Sequence, residues 1–507
     1  MSVPARKRRP LAPPDELRRW QDKILGWAKA YGLEPFRTVF ELIDHEEMSQ
    51  IAAYGGFPTR YPHWRFGMEY EELQKGYSWG LQKIYELVIN NDPCYAYLMK
   101  SNSMVDQKMV MAHVYGHSDF FRNNLWFSQT HRRMIDEIAN HGTRIRRYVE
   151  RHGRERVESF LDAALSLDNL IDHHSVYSPN RQRARFEFSE EEEHGAEVRR
   201  FKTPKGYLDR YINPPEYLEA QRRRIEEQIE KKKRFPEEPR KDVLEFLIQF
   251  APLETWQRDV VSIIREEAYY FAPQAQTKIM NEGWATYWHA KIMTEKALEG
   301  TEVVDFADHH SGTLGTRPGQ INPYKLGVEL WRDIEERWDK GRFGSEFQDC
   351  DDLAKRRAWD LKLGQGREKI FEVRRIYNDI TFIDEFLTKD FCERQKLFVY
   401  KFNGQANQYE IADRDFEAVK RGLLFRLTNM GHPIIAVEDG NFRNRAELLL
   451  KHRHEGADLD LDEARDTLQS LHRLWQRPVN LATIVEDTPK LLSFDGKDHK
   501  EEEVKAP

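Results

Sequence analysis

Apolar residues in the first three quarters of this chain recur three and four positions apart, the period of helices buried along one face. Leu17, Trp20, Ile24, Leu25 and Trp27 mark the first such helix, entered through Pro13, Pro14 and Asp15. The same spacing predicts helices over residues 39–53, 70–88, 103–123, 128–151, 154–170, 242–250, 254–270, 275–296, 323–338 and 371–387. Residues 57–67, FPTRYPHWRFG, interrupt it with prolines and a glycine and read as a loop. Its crowded rings either line a pocket or pin the loop to the core. From Lys396 the period shortens to two. Residues 397–402 and 408–412 read as a hairpin around Asn403-Gly404, and 433–438, 446–452, 479–485 and 491–494 as strands. Helices are expected over 413–429 and 461–475.

The architecture this predicts is mainly α over residues 15–390, followed by a small α+β domain over 396–490. Residues 1–14 read as a disordered basic tail and 491–507 as a second tail, despite the strand texture of 491–494. Residues 185–240 differ in composition. They carry an acidic run at 189–193 and the charge-dense stretch RRRIEEQIEKKKR, with few apolar anchors. That fits an exposed arm whose loss the fold tolerates; a partner-binding helix is the sharper alternative.

Composition narrows the class. At 507 residues the chain is long enough for two or three domains. A net charge of −7 gives no general case for nucleic-acid binding, and the basic Arg6–Arg9 cluster reads as a solvated tail. Cys94, Cys350 and Cys392 are odd in number and far apart, as in a reducing compartment. No apolar run is long enough to span a membrane, and the basic N-terminus has no apolar signal core. The expectation is a cytoplasmic protein. No Walker A or GxGxxG pattern points to nucleotide chemistry.

The candidate chemistry centres on residues 109–124, MVMAHVYGHSDFFRNN. His113 and His117 are four apart, so a helix sends both imidazoles from one face. A distant stretch, MNEGWATYWH at 280–289, offers Glu282 as a third ligand. Two histidines and a glutamate leave a coordination position open, the pattern of catalytic zinc sites. The alternative is a hydrogen-bonded cluster between packed helices. The protease motif H-E-x-x-H needs a glutamate after the first histidine, and this chain has Val114 there. Substitute bases are Glu47 and His289; His63, Tyr287 or His289 would steady an oxyanion or protonate a leaving group. His289 lies two turns from Glu282, which favours a supporting role over ligation. Asp119 is expected to cap or pair locally. His173-His174, His309-His310 and His452-x-His454 read as structural, with His310 best placed to fold back over the site. Cys94 reads as structural.

Several long segments resemble the stage V sporulation protein R (SpoVR) family. They are YELVINNDPCYAYLMKSNS at 85–103, AHVYGHSDFFRNN at 112–124, TKIMNEGWATYWH at 277–289, INPYKLG at 321–327 and IEERW at 334–338. KHRHEGADLDLDEARDTL and LWQRPVNLAT carry the likeness into the last domain. The resemblance implies a link to sporulation and spore cortex formation. It also implies company with a PrkA-type serine protein kinase and a protein with a von Willebrand factor A-like domain. NEGWATYWH further resembles the segment that brings the third zinc ligand in gluzincin-type metallopeptidases. This implies a zincin-like helical domain binding zinc or another divalent metal. Two functions stay open: a metal-dependent hydrolase and a regulatory scaffold.

Overall fold

The computed structural model describes residues 14–78, 86–177, 214, 216–219, 222–223, 235–316, 320–404 and 407–504. Most of the charged insert and the basic tail lie outside the described residues. The chain divides into two compact units, Met1–Arg151 with Tyr270–Gly431, and His152–Tyr269 with His432–Pro507. This differs from the linear division expected at residues 390–396. The hairpin and helix that follow residue 396 join the first unit, because Val419 and Leu423 bury into its core.

The first unit opens with α1 (Asp15–Ala30), β1 (Thr38–Ile43), α2 (His45–Ala53) and α3 (Trp64–Ser78). Next come β2 (Glu86–Ile89), β3 (Cys94–Met99), α4 (Met104–Asn123) and α5 (Met134–His152). The expected helix over 39–53 is therefore corrected to a strand and a shorter helix. Thr38–Ile43 alternates in burial and pairs in parallel with β3, Thr38 opposite Cys94. Asp44 then starts α2 with a capping box, its side chain accepting from the Glu47 backbone N–H. The helix expected over 70–88 is also corrected: α3 begins inside the aromatic loop, and Glu86–Ile89 is a strand antiparallel to β3. The three strands lie in the order β1-β3-β2. Their partners are far apart in sequence, so local periodicity did not reveal them.

The second unit takes up the chain with α6 (Arg154–Leu165), α7 (Val243–Phe250) and α8 (Thr255–Gln276), whose last turns from Tyr270 belong to the first unit. The first unit resumes with α9 (Lys278–Ile292), a π-helical turn at Met293–Ala297, α10 (Val303–Thr313) and α11 (Pro323–Lys340). After two short helical turns come α12 (Gly366–Ile376), α13 (Asp379–Phe386) and α14 (Lys389–Gln395). The hairpin of β4 (Val399–Asn403) and β5 (Gln408–Asp413) follows, then α15 (Phe416–Leu427). The second unit closes with β6 (Ile435–Phe442), β7 (Glu447–His452), α16 (Leu461–Trp475), β8 (Val479–Val485), β9 (Thr488–Phe494) and β10 (His499–Glu503).

The last strands form one sheet in the order β10-β9-β8-β7-β6. β7 and β8 are parallel and joined through α16, as a parallel pair requires a crossover. The tail expected over 491–507 is thus corrected through Glu503. Leu491 and Leu492 are buried and pair with β8, and β10 pairs with β9.

In the first unit α9 lies against α4 on one side and α11 on the other. Glycines permit the close approach. A Cβ on Gly116 would lie 2.6 Å from Ala285 Cα, one on Gly283 2.4 Å from Gly327 Cα, and one on Gly327 2.1 Å from Ile279 O. Around these crossings Trp284, Trp288 and Trp331 are fully buried. The chain's aromatic richness is spent here on filling the space between helices.

Candidate metal centre

His113 and His117 leave α4 one turn apart and are both 4% exposed. Gly116 lies between them where α9 crosses, so the backbone that carries Glu282 comes close enough for short side chains to meet. Glu282 Oε2 is 3.6 Å from His113 Nε2 and 3.4 Å from His117 Nε2. The two imidazoles stand edge to face, with ring centroids 4.5 Å apart. The three donor atoms lie within 4.8 Å of one another. Glu282 Oε2 is buried and has no hydrogen-bond partner among the described residues.

The other imidazole nitrogens are held from behind. His117 Nδ1 is 2.9 Å from Asn281 Oδ1. An amide oxygen only accepts, so Nδ1 carries a proton and Nε2 is the atom that a neutral ring would offer to an ion. His113 Nδ1 is 2.8 Å from His289 Nδ1, and His289 Nε2 is 2.9 Å from His310 Nδ1. Burial pushes His289 well below the ordinary imidazole value, helped by the neighbouring His113 and His310; His310 is lowered by burial and by Arg332. Both rings are therefore neutral near pH 7. Burial alone would raise the Glu282 carboxyl, but His117 and His113 outweigh it and hold the group well below the usual carboxylate range.

The remaining sequence candidates take other places. His289 has both ring nitrogens engaged, which makes it a support for His113. Tyr287 donates its hydroxyl hydrogen bond to Glu335, which also accepts from Arg367 at 3.2 Å, and burial raises the phenol. Glu47 reaches back to the Asp44 backbone N–H within its capping box. His63 Nδ1 accepts from the Arg65 backbone N–H at 3.3 Å, at the start of α3, with its ring against Trp64 and Phe66. These contacts give Tyr287, Glu47 and His63 structural partners.

Asp119 is a correction as well. Rather than pairing locally alone, it accepts from Glu34 N at 2.7 Å and Trp284 Nε1 at 2.9 Å, and pairs with Arg374 at 3.3 Å. It ties α4, α9 and α12 together in the core. Cys94 is structural: its thiol donates to Ile89 O, and burial pushes it up to about 12.

Sequence reasoning missed Asn281 and Tyr324. Asn281 had a signal, since a ligating histidine needs an acceptor behind it and an amide adjoins Glu282. Tyr324 had none: its ring stacks on His113 at 6.2 Å only because α11 starts beside α4.

A donor set of two imidazoles and one carboxylate suits zinc or a similar divalent ion. Its spacing is also compatible with a shared ion. Hydrogen-bonded N–H···O pairs sit at about 2.9 Å, whereas ligands around one tetrahedral zinc stand roughly 3–3.5 Å apart. The observed 3.4 and 3.6 Å fit the second arrangement.

Comparisons with known proteins agree on the family. The description "SpoVR like protein" matches residues 12–432, and "SpoVR-like C-terminal domain" matches residues 433–486. A relative in Escherichia coli (strain K12), "Uncharacterized protein YcgB", is 31% identical over 488 residues, covering 91% of this chain and 90% of the relative. No solved structure matches. Among the described residues, no helix is long and apolar enough to cross a membrane. With the family description spanning both the helical centre and the C-terminal sheet, the chain belongs to the SpoVR family.

Proposed function

We propose that this SpoVR protein is a metal-dependent hydrolase whose zincin-like helical unit holds zinc, or another divalent ion, on His113, His117 and Glu282. The observation that carries the reading is the convergence of Nε2, Nε2 and Oε2 at ligand rather than hydrogen-bond spacing, with the carboxylate oxygen otherwise unsatisfied. A zinc ion would supply an electrophile and a water acidified to a pKa of about 7, which a site lacking the adjacent glutamate needs. The chain's own part is to orient both imidazoles, through Asn281 and His289. An amide or related bond in a peptide or cell-wall precursor is the substrate class, taken from the spore cortex association that the family resemblance implies.

A second reading has its own observation. Val114 occupies the position of the usual base, and Glu47 is engaged in capping α2. Both favour a regulatory scaffold, holding a non-catalytic metal or none, that acts with a PrkA-type serine protein kinase and a von Willebrand factor A-like protein.

Elemental analysis of purified, zinc-dialysed protein tests the site. About one ion per chain in the wild type and almost none in His113→Ala is the expected result. No bound ion would end both metal readings. Cleavage of peptides or cell-wall precursors by the loaded protein, lost in Glu282→Gln, then favours the hydrolase. A bound ion without cleavage favours the scaffold.

A further inference from the structure

The imidazole row behind His113 has a direction. If His113 Nε2 faces Glu282 with its lone pair, His113 Nδ1 carries the proton and donates to His289 Nδ1 at 2.8 Å. His289 must then hold its own proton on Nε2, which donates to His310 Nδ1 at 2.9 Å. His310 is left with its proton on Nε2. Each ring's tautomer thus fixes the next, from the half-buried surface of α10 to the centre of the helical core. The opposite direction would place a proton on His113 Nε2, between the ring and Glu282, and remove a ligand.

α10 is built to hold that end of the row. Phe306 stacks on His310, with ring centroids 5.3 Å apart and planes 13° apart, and meets His289 edge-on. The adjacent His309 pairs with Asp106 of α4 at 2.5 Å. Asn322, which caps α11, donates to Thr313 O at the end of α10 at 2.8 Å. These other ties mean that α10 keeps its place without the His310 bond.

We infer that His310 is a positioning residue for the metal centre: through His289 it selects the ligating tautomer of His113 and couples α10 to metal occupancy. The inference rests on the metal reading above. It requires an acceptor at the place of His310 Nδ1 and no particular charge there. Asparagine puts an amide oxygen near that place; alanine puts nothing.

Zinc affinity, measured on the full chain by competition with a chromophoric chelator, tests this beside hydrogen exchange at the amides of Val303–Thr313. In wild type, zinc slows exchange in α10. His310→Ala weakens zinc about tenfold, in the range for partners outside the ligand set, and abolishes the slowing. His310→Asn restores both, and the metal-free variants melt with the wild type. Wild-type affinity in His310→Ala overturns the inference and leaves the metal reading standing. Equal weakening in the alanine and asparagine variants also overturns it, because then only ring packing counts. No zinc uptake by wild type, or undiminished uptake by His113→Ala, defeats the metal reading and the inference with it.

Discussion

The helical centre of the first unit and the sheet of the second both bury polar side chains, but they handle them differently. In the sheet these groups answer a neighbour on the next strand: His452 Nδ1 meets Thr483 at 2.9 Å, and Asn480 donates to Glu447 at 3.3 Å. Around α4, α9 and α11 the partners come from remote parts of the chain. Asp119 meets Arg374, and His113 meets Glu282 and His289. A strand ladder satisfies polar atoms as a by-product of register. A helix leaves its side chains to find partners on other helices, so each buried polar group there depends on how closely the helices approach. The functional candidates sit in the centre, where a buried carboxylate oxygen of Glu282 lacks a hydrogen bond; no strand of the sheet has such a carboxylate oxygen among the described residues.

The largest effect that would sharpen this contrast is removal of the core ion pair. Asp119→Ala leaves the Arg374 guanidinium buried without its carboxylate, and about 3–5 kcal/mol of stability should be lost in denaturant unfolding. A loss below about 1 kcal/mol would break the claim that the centre hangs on such pairs.

Next is the glycine crossing. Gly283→Ala pushes a methyl group against the Gly327 backbone, which cannot rotate away, and should cost about 3 kcal/mol or prevent folding. Gly440→Ala on β6 meets only the rings of Phe246 and Phe235, at 2.9 and 3.0 Å, and should cost nearer 1 kcal/mol. Equal effects would erase the distinction between the two regions.

Zinc at about a hundred times its dissociation constant should stabilise the protein by about 2.7 kcal/mol, through a transition seen in tryptophan fluorescence of the first unit. His117→Ala should show no such gain. Stabilisation that persists in this variant would place the ion elsewhere.

The last effect is a pH slope, small over any one pH unit. Asp379 accepts from the backbone N–H groups of Ile279 and Met280, yet burial still raises its carboxyl to about 7. Between about pH 4 and 7 the folded state keeps a proton that the unfolded chain has released. Stability therefore falls as pH rises through that window, by at most about 1.4 kcal/mol per unit, and is flat above it. Asp379→Asn should remove that slope in urea midpoints taken from pH 4 to 8. An unchanged slope would assign it to other groups.

Much was legible without the structure. The hairpin, α16 and β8 appear where the alternation put them, because each is set by local period and turn chemistry. His113 and His117 were legible as a pair because four residues make one turn. Glu282 was legible as an oxygen donor on a second helix, and its segment's resemblance to the gluzincin third-ligand stretch added to that reading. β1 and β3 were not, since their parallel pairing joins residues more than fifty positions apart. The partners of the acid-base candidates were legible only in part. Glu47 and His63 are engaged by neighbours three and two residues away, in a capping box and at a helix start, whereas the partner of Tyr287, Glu335, is remote in sequence.

The sequence by itself determined the family, the helical texture of the larger part, the sheet-forming texture of the end, and the residue types that can ligate a metal. Those properties follow from side-chain chemistry and from periods of two and 3.6, which act over a few residues. Only the tertiary structure decided that Glu282 faces both imidazoles, that Asn281 and His289 stand behind them, and that α10 supplies His310. These placements depend on how near α4, α9 and α11 can come. That distance is set by backbone contact at Gly116, Gly283 and Gly327 between helices more than a hundred and fifty residues apart in sequence at the α4–α9 crossing and about forty at the α9–α11 crossing.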